Sequence, residues 1–314
     1  MTYRLDPELV PWISMLPQVS LHDIAAARRE LAASLGAFRS APPTGDVRVE
    51  DRFIPGPIGA RDIRARIYTP ADLPGPLPGM LYLHSGGFVL GSIDYEDHAI
   101  STIADGAGAV VVAVDYRLAP ENPYPAGMED CYAALIWMAE NAALLDMDPD
   151  RIGVGGASAG GGLAAGVALL SRDRNGPRLC LQYLDAPELD DRMTTPSMTA
   201  YTDTPVWTRL HTQLSWEAYL AGADADGYAA PARMADLSGL PPAYIGVCQF
   251  DPLRDEAIDY AQRLAQSGTP TELHLYPGAF HGSWLVTEAA VSRRMVDDTV
   301  QRIRALLNQP TAHS

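Results

Sequence analysis

Ile152-Gly153-Val154-Gly155-Gly156-Ala157-Ser158-Ala159-Gly160-Gly161-Gly162-Leu163 is the stretch on which the reading of this 314-residue chain turns. A short apolar run, 152–154, leads into a cluster of glycines. A run of small residues, 163–170, leaves it at helical spacing. Between them Gly156 to Gly160 spell G-x-S-x-G. That pattern suits a strand turning sharply into a helix, with the central serine in a strained backbone conformation and its Oγ exposed near the helix's first N–H groups. The flanking residues are glycine because a Cβ there would strike the neighbouring strand and helix. Ser158 is therefore the candidate nucleophile. Phosphate-binding turns are also glycine-rich, but G-x-G-x-x-G fails here, because Gly153 and Gly155 are followed by Ser158 at the third position. A P-loop needs a lysine that this stretch lacks.

Outward from that turn, short apolar runs at 80–83, 110–114, 152–154, 179–183, 243–247 and 272–276 read as buried strands. Helical patterns at 95–107, 128–141, 163–172 and 256–266 separate most of them, and a last helix at 286–307 closes the chain. Apolar strands alternating with helices predict a mostly parallel central sheet covered on both faces, an α/β fold. Upstream, 47–54 and 63–68 alternate apolar and polar and predict an antiparallel pair. Residues 7–39 read as helical, with Leu21, Ile24, Ala25, Arg28 and Leu31 on one stripe, ended by Pro42-Pro43-Thr44-Gly45. Residues 190–239 carry little strand signal and a helical pattern at 210–220, with Trp207 and Trp216 close by. The expected organisation is N-terminal cap helices over 1–45, a core over 46–189 and 240–314, and an inserted cap segment over 190–239.

Composition narrows the function classes. A formal charge of −16 argues against nucleic acid and anionic membrane surfaces as partners. Cys131, Cys180 and Cys248 lack C-x-x-C spacing and lie in apolar stretches, as reduced core cysteines of a cytoplasmic protein do. The first twenty residues lack a basic start and a continuous apolar core, so no secretory signal is read. No apolar run is long enough to span a bilayer. There is no H-E-x-x-H and no Cys/His cluster at ligand spacing, so no metal is expected.

A serine nucleophile needs a base, and the base an orienting acid, in the chain order Ser, Asp/Glu, His. Three histidines follow residue 239. His274 sits mid-strand, His313 at the terminus, and His281 in a loop, Tyr276-Pro277-Gly278-Ala279-Phe280-His281-Gly282, just after the last strand. Loops at the carboxyl ends of parallel strands carry functional groups, which favours His281 as the base. Asp185 and Asp251 are both candidate acids. Asp251, in Phe250-Asp251-Pro252-Leu253-Arg254-Asp255-Glu256, also reads as a helix N-cap, and spacing does not separate the two. An oxyanion hole needs main-chain N–H groups aimed at developing charge. Ala159 offers one, and the loop His84-Ser85-Gly86-Gly87-Phe88 follows an early strand at the place expected for the others. His84 reads as a residue that holds this loop in shape.

These motifs, together with Asp115-Tyr116-Arg117-Leu118-Ala119-Pro120-Glu121 and His281-Gly282, resemble the hormone-sensitive-lipase-like bacterial esterases of the α/β-hydrolase superfamily. The resemblance spans nearly the whole chain. Pro187-Glu188-Leu189-Asp190-Asp191-Arg192 and Asp203-Thr204-Pro205-Val206-Trp207 are similar to the bacterial heroin esterase subgroup. The resemblance implies the α/β-hydrolase fold with a helical cap and a catalytic triad of Ser158, Asp251 and His281. It implies oxyanion donors at Gly86, Gly87 and Ala159, and a structural role below the site for Tyr116, Arg117 and Glu121. It also implies no cofactor and a homodimer through the edge strand near 272–276. The expected activity is hydrolysis of short- to medium-chain acyl esters, with Phe88 and Trp207 in the substrate pocket. The same triad would serve a lactone or amide hydrolase, and some relatives are non-catalytic receptors; the presence of His281 speaks against the latter. Two positions depart from the family. Its first loop glycine is Ser85, where serine either strains a positive φ or adds a hydrogen bond. Its usual Asp before the nucleophile is Ala157.

Overall fold

A computed structural model describes residues 3–16, 18–38 and 46–309. The expected break at residues 42–45 and His313 lie outside them. The eight strands among the described residues are β1 (Val47–Ile54), β2 (Ile63–Pro70), β3 (Leu77–Leu83), β4 (Val110–Val114), β5 (Met147–Ala157), β6 (Leu179–Asp185), β7 (Ala243–Phe250) and β8 (Thr271–Phe280). They form one sheet in the order β1-β2-β4-β3-β5-β6-β7-β8. β1, β2 and β4 pair antiparallel, and every later pairing is parallel. β3 and β4 are buried along their length, which is why β4 reads as an unbroken Val-Val-Val-Ala-Val.

Among the described residues eight α-helices accompany the sheet: α1 (Ile24–Phe38), α2 (Asp97–Ala107), α3 (Ala126–Glu140), α4 (Ala159–Asp173), α5 (Pro196–Ala200), α6 (Arg209–Leu220), α7 (Arg254–Gln266) and α8 (Ala290–Leu307). α3, α4 and α7 bury their apolar residues in one core, against Leu81, Val112, Val154 and Ile245. α2 and α8 form the second core on the other face, through Ile100, Ile103, Ile303 and Leu307 against Val111, Tyr183 and Tyr244. The side-chain alternation of each strand serves both cores at once.

Several elements differ from their sequence reading. The helix expected over 7–39 is a short 3₁₀ segment, Val10–Met15, and a separate α1. Asp23 Oδ1 accepts from the Ala26 N–H at 2.9 Å, so the helix starts there and Leu21 lies outside it. The final helix begins at Ala290, four residues later than expected, after a 3₁₀ turn at Ser283–Leu285. β5 is longer than its apolar run at both ends, because main-chain pairing continues through Gly155, Gly156 and Ala157. β8 runs to Phe280, with its register to β7 shifted between Cys248 and Phe250, so His281 follows the strand directly instead of lying within a loop. Residues 190–239 carry α5, α6 and a 3₁₀ turn, and none of the strands. Thr208 and His211 close a capping box at the start of α6, so that helix begins at Arg209.

Candidate active site

The turn from β5 into α4 holds Ser158 at φ 56° and ψ −122°, a backbone conformation that side-chain-bearing residues rarely adopt. The neighbours make the turn possible. A Cβ on Gly156 would overlap the Leu83 carbonyl oxygen and approach Gly160 within 2.7 Å, and one on Gly160 would overlap the same carbonyl. The Ser158 N–H donates to the Asp185 carbonyl at 2.8 Å, and its own carbonyl accepts from Gly162 and Glu188. The Ser158 peptide is thus fastened to the strand end at β6 and to its own helix.

Three elements converge on that serine. His281 Nε2 lies 3.0 Å from Ser158 Oγ, and His281 Nδ1 lies 2.7 Å from Asp251 Oδ2. All three side chains are buried. The Asp251 Oδ1 accepts from the Leu253 N–H at 2.9 Å, which fixes the carboxyl just before α7. Asp251 is therefore bound at both oxygens, and the N-cap position of α7 belongs to Leu253. Asp185 makes no hydrogen bond to the imidazole; its Oδ1 lies against Gly246 of β7, where a Cβ would come within 2.6 Å. Burial pushes the Asp185 carboxyl up to about 7, while the nearby His281 pulls in the opposite direction. His274 lies elsewhere, bonded to Glu272 and Asp298. The ring of His281 is flanked by Trp207 at 5.8 Å and Trp284 at 5.3 Å between centroids.

The loop after β3 turns on two left-handed residues, Gly86 at φ 128° and Gly87 at φ 57°, followed by Phe88 at φ 60°. The main-chain N–H groups of Gly86 and Gly87 bond to no described residue, and Ala159 is the first residue of α4. Trp207 lies on Gly87, so closely that a Cβ there would meet its ring at 2.5 Å. Phe88 stacks on Tyr219 of α6, with ring centroids 4.1 Å apart. His84 bonds within the loop, Nδ1 to the Ser85 carbonyl at 2.8 Å, and stacks on Tyr116, whose hydroxyl donates to the His84 carbonyl.

Ser85 is not among the residues at positive φ. Its N–H and hydroxyl both donate to Glu96 Oε1, at 2.8 and 2.6 Å, so the departure from glycine adds a hydrogen bond and no strain. Of the three residues expected to play a structural role below the site, Tyr116 bonds the loop directly. Arg117 pairs with Asp130, and Glu121 pairs with Arg28 of α1. Arg28 also donates to the Val89 and Ala119 carbonyls, which docks the N-terminal helix on the glycine loop. Sequence reading missed Glu96, Glu188 and this arginine. Each is a charged residue within an otherwise readable pattern, and its partner is far away in the chain.

A family model described as the alpha/beta hydrolase fold matches residues 80–285, from β3 through the turn that carries His281. The chain belongs to the hormone-sensitive-lipase-like branch of the α/β-hydrolases. It is a carboxylic-ester hydrolase. The chain is similar to carboxylesterase NlhH of Mycobacterium tuberculosis, at 44% identity over 244 residues covering 76% of each protein. It is 39% identical over 286 residues to esterase LipI of the same species, covering 88% of this chain and 87% of the relative. Among solved structures, bacterial heroin esterase superposes with a TM-score of 0.95 at 44% identity, covering 98% of this chain and 99% of the other. Among the described residues no helix is long and apolar enough to cross a membrane.

Proposed function

We propose that this esterase works through an acyl-enzyme on Ser158, with His281 as general base and acid and Asp251 as the orienting acid. The observation that carries the reading is the continuous hydrogen-bonded path from Oγ through the imidazole to the carboxyl, at 3.0 and 2.7 Å. As Oγ adds to the acyl carbon, His281 Nε2 takes the hydroxyl proton. Asp251 on Nδ1 holds the ring's tautomer and offsets the imidazolium charge. The N–H groups of Gly86, Gly87 and Ala159 receive the negative oxygen of the tetrahedral intermediate. The C–O bond to the alcohol then breaks, and His281 returns the proton to the departing oxygen. A water adds to the acyl-enzyme while His281 takes its proton, and collapse restores Ser158 and releases the acid.

The substrate reading is a small ester with a short- to medium-chain acyl group, because buried Phe88, Trp207 and Trp216 crowd the glycine loop with bulky rings. In the same reading, residues 1–45 and 190–239 act as a cap over the core of 46–189 and 240–314. The Arg28 contacts to the glycine loop and the packing of Phe88 on α6 support this. A homodimer through β8 completes the reading: the strand is at the sheet's edge, with Leu273 and Leu275 exposed on it. Unpaired Cys131, Cys180 and Cys248 fit a reducing cytoplasmic location. Replacing Ser158 by Ala tests the mechanism. Turnover of p-nitrophenyl butyrate should fall by about 10⁴-fold or more, and activity within about tenfold of the parent would overturn it.

A further inference from the structure

Glu188 is a buried acid that the triad does not use. It follows β6 by three residues, and its N–H donates to the Ser158 carbonyl at 3.1 Å, so its backbone is fastened to the nucleophile's own peptide. Its Oε1 accepts from the Ser215 hydroxyl of α6 at 2.6 Å. The Ser215 Cβ in turn borders Gly87, 3.2 Å from where a Cβ on that glycine would stand. The carboxyl therefore lies beside the glycine loop, on the cap side. Its Oε2 is fully buried and bonds to no described residue.

Two neighbours share that condition. Trp216 Nε1 and Tyr219 OH, on the same helix, are also buried without a partner. Both rings pack on Phe88, the residue after Gly87. Desolvation holds the Glu188 proton on up to about 8, so at neutral pH the free oxygen carries an O–H. Two of these donors belong to rings packed on Phe88, and the third lies beside the glycine loop, held by Ser215. A donor left unmatched in such a place is costly, so the arrangement calls for an acceptor.

We propose that Glu188, with Trp216 and Tyr219, forms a polar subsite that recognises an oxygen atom in the acyl group of the substrate. The acyl side is favoured because Glu188 is fastened to the peptide of Ser158, the residue that carries the acyl group. The preferred substrates are then esters of acids carrying an ether, keto or hydroxyl oxygen a few bonds from the carbonyl. Plain alkanoates of the same length are poorer. This rests on the acyl-enzyme reading above.

The test compares p-nitrophenyl 3-methoxypropanoate with p-nitrophenyl pentanoate, which differ by one oxygen for one methylene. Each kcat/KM is divided by the ester's hydroxide-catalysed rate to remove inductive activation. In the parent the corrected ratio should favour the methoxy ester by about tenfold. In Glu188→Leu, or Glu188→Met if that variant does not fold, the ratio should fall to about one, since the donor is lost. Glu188→Gln, whose amide still donates, should keep most of the preference. A parent ratio of about one overturns the subsite whatever the variants do, as does a preference that survives Glu188→Leu. Failure of the acyl-enzyme reading would look different: pentanoate turnover itself would be absent, or would persist in Ser158→Ala.

Discussion

The ends of β6 and β7 deliver the same kind of group to the same edge of the sheet and treat it in opposite ways. After β7, Asp251 is bound at both oxygens, by the Leu253 N–H and by His281. At the end of β6, Asp185 and Glu188 are also buried but make no bond to His281, and desolvation raises them to about 7 and about 8. Partners and geometry, with burial common to all three, decide which acid lies in reach of the imidazole. An acid reading made from position alone would treat the two strand ends as equivalents.

The sharpest way to break this comparison is a pair of isosteric variants. Asp251→Asn should lower kcat by on the order of 10⁴-fold, because the amide no longer holds the productive imidazole tautomer. Asp185→Asn, which leaves both bonds of the His281 ring in place, should cost less than about tenfold. Steady-state kinetics on p-nitrophenyl butyrate check both; equal losses would erase the distinction. A smaller effect is expected at the glycine loop. Gly87→Ala places a Cβ on Trp207 at a backbone angle suited to glycine, and should displace an oxyanion donor. A drop in kcat of about 10²-fold, with folding intact by circular dichroism, is the expected result.

The smallest effect concerns stability. Asp185 and Glu188 hold their protons to higher pH folded than unfolded, so folding takes up protons above about pH 4. Their contribution is complete below that pH and is lost as pH rises toward 7 and 8. Each pH unit inside the window removes up to about 1.4 kcal/mol per group. Urea unfolding at pH 5.5 and pH 8 should show the parent weakening, and Glu188→Gln weakening by less. An unchanged difference between the two pH values in that variant would count against the raised acid.

Much of the site was legible in the sequence because its parts are local patterns. The G-x-S-x-G turn is a steric requirement written in adjacent residues, and the glycine loop is another; both lie where their strands predict. The parallel sheet was legible because strands buried on both faces, such as β4, read as continuous apolar runs. What was not legible depends on partners distant in the chain. Spacing left Asp185 and Asp251 open, and only the approach of the end of β8 to the end of β7 separates them. Ser85 was ambiguous until Glu96, eleven residues on, came to meet both its N–H and its hydroxyl. The partner through which Glu121 acts, Arg28, was not legible because it lies 93 residues away on α1. The length of the first helix was overestimated because its apolar stripe runs past the Asp23 cap.

The central claim is that one hydroxyl, set at an unusual backbone angle and joined to His281, is the group that attacks. A fluorophosphonate mimics the tetrahedral intermediate and traps that nucleophile as a stable adduct. Intact-mass and peptide mapping of the treated protein should find one adduct, on the peptide carrying Ser158, and none in Asp251→Asn within the time that labels the parent fully. Absence of an adduct in the parent, or an adduct on any other residue, would contradict the account.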